Sequence, residues 1–174
     1  MASNTGQTGY LPTGAALFCT IPDIFYVVEL VFGGLVLCLV ASTKLVSPFE
    51  IAVLPNSDLT GLLTVSTPSN PQAYVITVTI FCFLMTFTWL IVFGTGCHRN
   101  KSSWASADVA CHGFASLLYL SASVLLALVT IAFGLVNKDA INYKLNIAAV
   151  VFAFFTTTLY VIHTIFSALR WKSF

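Results

Sequence analysis

The chain has 174 residues, of which 58% are hydrophobic and 7% charged, with a formal net charge of +1 and a mean hydropathy of +0.95. A soluble domain of this length needs a charged exterior, so the composition excludes one and implies that lipid replaces water over most of the surface. Seven basic residues scattered among six acidic ones make no electrostatic footprint for nucleic acid, which is excluded as a partner.

Residues 1–14 are rich in Gly, Thr, Ser and Asn without an apolar period and read as a flexible N-terminal tail. The first apolar block, about 18–41, has no basic segment before it and is interrupted by Asp23 and Glu29. It reads as a retained transmembrane helix rather than a cleaved signal peptide. Residues 42–72 form an outer loop that holds four of the six prolines. Within it, apolar runs Phe49 to Leu54 and Leu59 to Val65 flank the turn-forming Pro55-Asn56-Ser57-Asp58, which is compatible with a short hairpin or with a loosely ordered loop.

Three further apolar blocks follow at about 73–94, 107–136 and 145–169. Crossing a hydrocarbon core of roughly 30 Å takes about 20 apolar residues of helix, and each block supplies that length. The polar connection from Cys97 to Ser106 is short, so the second and third helices are antiparallel neighbours. The expected fold is a single domain, an all-α membrane protein built as an antiparallel four-transmembrane-helix bundle.

Orientation rests on where Lys and Arg fall. With both termini cytoplasmic, Arg99, Lys101, Arg170 and Lys172 lie inside, against Lys44, Lys138 and Lys144 outside. The sequon Asn100-Lys101-Ser102 then faces the cytoplasm and stays unmodified. Cys19, Cys38, Cys82, Cys97 and Cys111 all fall in or beside helices, which argues against a disulfide-locked outer loop. Cys97, in Gly96-Cys97-His98-Arg99 where the second helix leaves the membrane, is a candidate palmitoylation site, with an unmodified thiol as the alternative.

The few polar residues inside the blocks recur at spacings of three and four. In the fourth helix they are Asn146, Ala149, Ala153, Thr156, Tyr160, His163 and Ser167, and in the third Asp108, His112, Ala115, Tyr119 and Ala122. The second contributes Thr79, Cys82 and Thr86, and the first Gly33, Gly34 and Cys38 after Glu29. Lipid supplies no hydrophobic force between helices, so close approach of small residues and cross-helix hydrogen bonds drive packing, and these stripes should face one another. Gly33, Gly34, Ala149 and Ala153 are the close-approach positions.

Ionisable groups at membrane depth are costly enough to mark candidate function. Glu29 should lie about 13 Å along the first helix, and His112 and His163 at similar depth in the third and fourth. Glu29, Asp108, His112, Tyr119, Tyr160 and His163 make up a candidate intramembrane polar network. It would either fix helix register or serve a small transporter or channel as a relay through Glu29, His112 and His163. Asp108, near the expected start of the third helix, would complement the helix dipole, with Ser106 or Asp108 itself as the N-cap. Two intramembrane histidines hold at most one haem, with no second pair and no Cys-x-x-Cys, so no metal or other cofactor is expected. Without a set of nucleophile, base and orienter, no enzyme is expected either.

Specific strings then add a resemblance. Leu17-Phe18-Cys19-Thr20-Ile21-Pro22-Asp23 and Glu29-Leu30-Val31-Phe32-Gly33-Gly34-Leu35-Val36 resemble the first helix of the myelin and lymphocyte protein family of MARVEL-domain proteolipids. The likeness recurs at Ser103-Trp104, Asp108, His112 and Tyr119-Leu120-Ser121-Ala122-Ser123-Val124-Leu125. It is strongest at Asn146-Ile147-Ala148-Ala149-Val150-Val151-Phe152, Leu159-Tyr160-Val161, His163 and Arg170-Trp171-Lys172-Ser173. Family members usually carry Trp at the position of Leu37, an acidic residue at that of Leu126, and a short first outer loop followed by Gln-Gly-Trp. This chain has none of the three, as a divergent member would.

The resemblance implies a tetraspan protein with cytoplasmic termini that organises cholesterol- and glycosphingolipid-rich membrane. It also implies sorting of other membrane proteins as cargo in apical or myelin vesicle traffic, at the plasma membrane and in trafficking vesicles, with Arg170, Trp171, Lys172 and Ser173 as the sorting tail. Homo-oligomerisation is left open.

Overall fold

The computed structural model describes residues 11–43, 71–136 and 141–173. After a 3-10 turn at Gly14–Cys19 come four helices: α1 (Ile24–Ser42), α2 (Pro71–Gly94), α3 (Ser102–Val136) and α4 (Ile141–Lys172). Each is long and apolar enough to span a membrane. A helix satisfies its own backbone hydrogen bonds, which hydrocarbon cannot do for it. Threonines inside the spans follow the same logic, since Thr79, Thr156 and Thr157 each donate to the carbonyl four residues back. The chain is a multi-pass membrane protein.

Cross-helix contacts fix the topology. Asp23, before α1, binds Arg170 at the end of α4; Gln72, at the start of α2, donates to Thr43 just after α1; Trp89 of α2 packs edge-on against Trp104 of α3. Neighbours in the ring α1, α2, α3, α4 are therefore antiparallel, and α4 closes it against α1. The broadest interface is between α3 and α4.

Each helix buries one stripe. In α1 it is Tyr26, Glu29, Gly33, Val36 and Val40; α2 buries Val75, Val78, Thr79, Cys82, Thr86, Trp89 and Phe93; α4 buries Asn146, Ala149, Ala153, Thr156, Tyr160, His163 and Ser167. Asp108, His112, Ala115, Tyr119 and Ala122 do the same in α3. Cys38, expected on the inward stripe of α1, is exposed instead. It lies nine residues from Glu29, about two and a half turns, which carries it to the far side of the helix.

Three boundaries also differ from the sequence reading. α1 starts at Ile24 because the 3-10 turn and Pro22 precede it. α3 starts at Ser102 rather than 107 and α4 runs from Ile141 to Lys172 rather than 145–169. Polar residues marked loop in the sequence, yet a helix continues freely beyond the hydrocarbon. Leu11, placed in the flexible tail, is fully buried against Leu17, Tyr26, Trp89, Phe93 and Ala105, and its N–H donates to Asn100 Oδ1. Most of the outer loop (44–70, hairpin included) and of the tail (1–10) lies outside the described residues.

Candidate functional site

The stripes converge near one end of the bundle on a cluster of charged and aromatic groups. Glu29 is five residues into α1, about 8 Å from its start and shallower than the sequence suggested. Its Oε1 meets His163 Nδ1 of α4 at 2.8 Å, and its Oε2 faces His112 Nε2 of α3 at 3.7 Å. The two imidazoles lie against each other with centroids 4.1 Å apart and planes tilted by 39°, and Tyr26 packs on both at 5.3 and 4.7 Å. All four side chains are buried, with residue exposures of 0–1%.

One turn nearer the end, Asp108 is the hub. It accepts from Tyr26 Oη at 2.6 Å, Ser167 Oγ at 2.6 Å and Arg170 Nη2 at 3.0 Å. His112 Nδ1 sits 3.0 Å from Asp108 Oδ1 and 2.9 Å from its backbone carbonyl. Arg170 also donates through Nη1 to both oxygens of Asp23, at 2.7 and 2.8 Å, and stacks over Phe93. Burial pushes the Asp23 carboxyl up, and the guanidinium beside it pulls back. Two carboxylates thus share one guanidinium in a region nearly closed to water.

Deeper in the bundle the polar groups become neutral. Tyr160 Oη pairs with Thr86 at 2.8 Å, Tyr119 stacks on Tyr160 at 5.4 Å, and Ser123 meets Thr157 at 3.2 Å. Gly33 leaves room for Tyr119, whose hydroxyl would lie 3.3 Å from an added Cβ, and Gly34 faces the ring of Phe83. Ala149 and Ala153 are buried where α4 meets its neighbours.

Glu29, His112 and His163 are therefore brought together, with Asp108 attached through His112 and Tyr160 packed against His112 at 6.0 Å. Asp108 is not a helix cap: α3 begins six residues earlier, and the carboxylate points into the core. Arg170 likewise turns inward from the expected sorting tail, while Trp171, Lys172 and Ser173 remain exposed. Cys97 is an exposed free thiol beside Thr95, in the turn between α2 and α3. The sequence reading missed Tyr26 and Asp23 as partners, although both lie on the Glu29 face at spacings of three. It named Ser167 only as a packing residue, and Arg170, three positions on, shares that face.

Residues 17–166 match the MARVEL family, a membrane-associating domain. The myelin and lymphocyte protein of Homo sapiens is 40% identical over 175 aligned residues, covering 99% of this chain and 97% of that protein. That of Canis lupus familiaris is 39% identical over 165 residues, covering 94% and 92%. More distantly, the CKLF-like MARVEL transmembrane domain-containing protein 8 of Homo sapiens is 27% identical over 156 residues, covering 88% and 76%. No solved structure matches the chain. A four-span bundle matched over nearly its whole length by these relatives belongs to the MARVEL-domain family and, within it, to the myelin and lymphocyte protein family of membrane proteolipids.

Proposed function

We propose that the chain is a non-enzymatic proteolipid that organises cholesterol- and glycosphingolipid-rich membrane and sorts membrane-protein cargo into vesicles bound for an apical or myelin surface. One observation carries this reading: the charged groups of the bundle are gathered inside it, leaving an apolar exterior as the working surface. Val31, Phe81, Leu84, Leu117, Val151 and Ile165 are each at least 49% exposed, and they come from all four helices. An apolar exterior of branched and aromatic side chains drawn from all four helices suits packing against ordered acyl chains and against the spans of other proteins.

In this reading both termini face the cytoplasm, with Trp171, Lys172 and Ser173 free to be read by sorting partners and Cys97 placed for acylation at the membrane surface. The test is partitioning in phase-separated giant vesicles of cholesterol, sphingolipid and unsaturated phospholipid. The protein should enter the liquid-ordered phase and leave it when cholesterol is extracted. Confinement to the disordered phase would sink the proposal. Proton flux through reconstituted liposomes that is lost in Glu29→Gln would overturn the assignment of the core to structure.

A further inference from the structure

We propose that Glu29, His112 and His163 form a binding site for one zinc-class divalent cation in the core of the bundle, with Asp108 as the carboxylate that orients His112. This does not rest on the lipid-organising reading.

The argument starts from the hydrogen atoms. His112 Nδ1 faces two acceptors, the Asp108 carboxylate at 3.0 Å and the Asp108 carbonyl at 2.9 Å, so it carries a proton and donates it. A neutral His112 then presents a bare lone pair at Nε2. That atom has no hydrogen-bond partner, and neither does the Glu29 Oε2 it faces at 3.7 Å. Two acceptors directed at each other in a buried space call for something positive between them. The count of fixed charge points the same way: among the described residues Arg170 is the one permanently charged cation bonded in this cluster, and its partners are Asp23 and Asp108, not Glu29.

Geometry favours a metal ion as the third party. Donor atoms of Glu29, His112 and His163 all lie within 4.8 Å of one another. Donors about 2.0–2.1 Å from a tetrahedral zinc stand roughly 3.3 Å apart. The separations from Glu29, 2.8 Å to His163 through Oε1 and 3.7 Å to His112 through Oε2, lie on either side of that spacing, so side-chain adjustment alone would bring the three donors round one ion. Two imidazoles and a carboxylate select zinc-like ions over calcium or magnesium, which want oxygen donors. The outer shell is already built. A zinc-bound histidine characteristically donates its other ring nitrogen to a carboxylate, as His112 does to Asp108, and Tyr26, Ser167 and Arg170 hold that carboxylate in turn. Histidine pairs and cysteine motifs do not mark this site in the sequence, because its third ligand is a glutamate on another helix.

The experiment is metal counting on chain purified in detergent without a histidine tag from zinc-supplemented cells. One zinc per chain is expected. Glu29→Gln and His112→Gln should each lose it, and Asp108→Asn should weaken affinity about 10–100-fold. Because substitutions in a packed core can prevent folding, the unaltered protein is also stripped with chelator and titrated with Co2+. A tetrahedral cobalt absorption band without thiolate charge transfer, displaced by equimolar Zn2+, is expected. Wild type without bound zinc or a cobalt band, a thiolate-type spectrum, or zinc undiminished in folded Glu29→Gln would each overturn the proposal.

Discussion

Arg170 is the residue on which the end of the bundle turns. Among the described residues it is the one basic side chain in contact with both Asp23 and Asp108, and at 9% side-chain exposure it leaves little room for water to take its place. Removing one partner of a buried ion pair leaves an uncompensated charge, so Arg170→Met should cost about 3–5 kcal/mol of stability. Arg170→Lys keeps the charge but cannot span two carboxylates with a planar fork, and should fall between the two. Thermal unfolding in detergent, followed by circular dichroism, tests the order; a Met variant as stable as wild type would contradict it. Glu29, His112 and His163 were legible in the sequence because charge at membrane depth is conspicuous. Arg170 was not, since a basic residue near a helix end normally serves the interface. Only the extension of α4 through Lys172, antiparallel to α1, brings it against Asp23.

Among the helices, α4 meets its neighbours through small residues. Ala149 and Ala153 are 0% and 2% exposed on α4, whereas Val151 between them is 63% exposed to lipid. Ala149→Leu and Ala153→Leu should each destabilise by about 1–3 kcal/mol through overpacking, while Val151→Leu should change stability little. Farther out, Gly134 of α3 lies under Tyr143 of α4, whose ring would come within 2.8 Å of an added Cβ. Gly134→Ala must push that ring aside and should loosen the far end of the hairpin. Hydrogen exchange is the fitting readout, with faster exchange expected around Tyr143 and none around His163. Spacings of three and four made the stripes of α3 and α4 visible in the sequence. The stripe of α1 was misassigned at Cys38 because small residues there were taken as inward by type alone, whereas geometry selects Val36 and Val40.

For the whole molecule, the apolar blocks gave the number of crossings directly, since hydropathy and length are the quantities a bilayer selects. They did not give the unequal lengths. α1 and α2 have 19 and 24 residues, and α3 and α4 have 35 and 32. At 1.5 Å per residue α3 and α4 reach about 52 and 48 Å, beyond a hydrocarbon core of roughly 30 Å. Their polar ends enter water as helix, which a reading that equates polarity with loop cannot see.

Orientation is the remaining property of the whole molecule, and the structure sharpens its test. The start of α1, the turn between α2 and α3, and the end of α4 share one end of the bundle, which carries Arg99, Lys101, Arg170 and Lys172. Arg170 is neutralised internally, so Arg99 and Lys101 in their short turn, with Lys172, carry the argument for a cytoplasmic face. The natural sequon at Asn100 is a poor reporter, because its Oδ1 already holds the Leu11 N–H and its backbone sits at a φ of 50°. An absent glycan there would follow from engagement of the side chain as readily as from topology. A sequon inserted within the proline-rich segment 44–70 and a cysteine at Ser173, which is exposed, avoid that difficulty. The inserted sequon should be glycosylated in the secretory pathway. Ser173→Cys, placed on a background lacking the exposed Cys19, Cys38 and Cys97, should react with an impermeant maleimide only after the plasma membrane is permeabilised. Labelling of intact cells together with an unmodified inserted sequon would invert the molecule in the bilayer and remove Trp171, Lys172 and Ser173 from reach of any cytoplasmic sorting machinery.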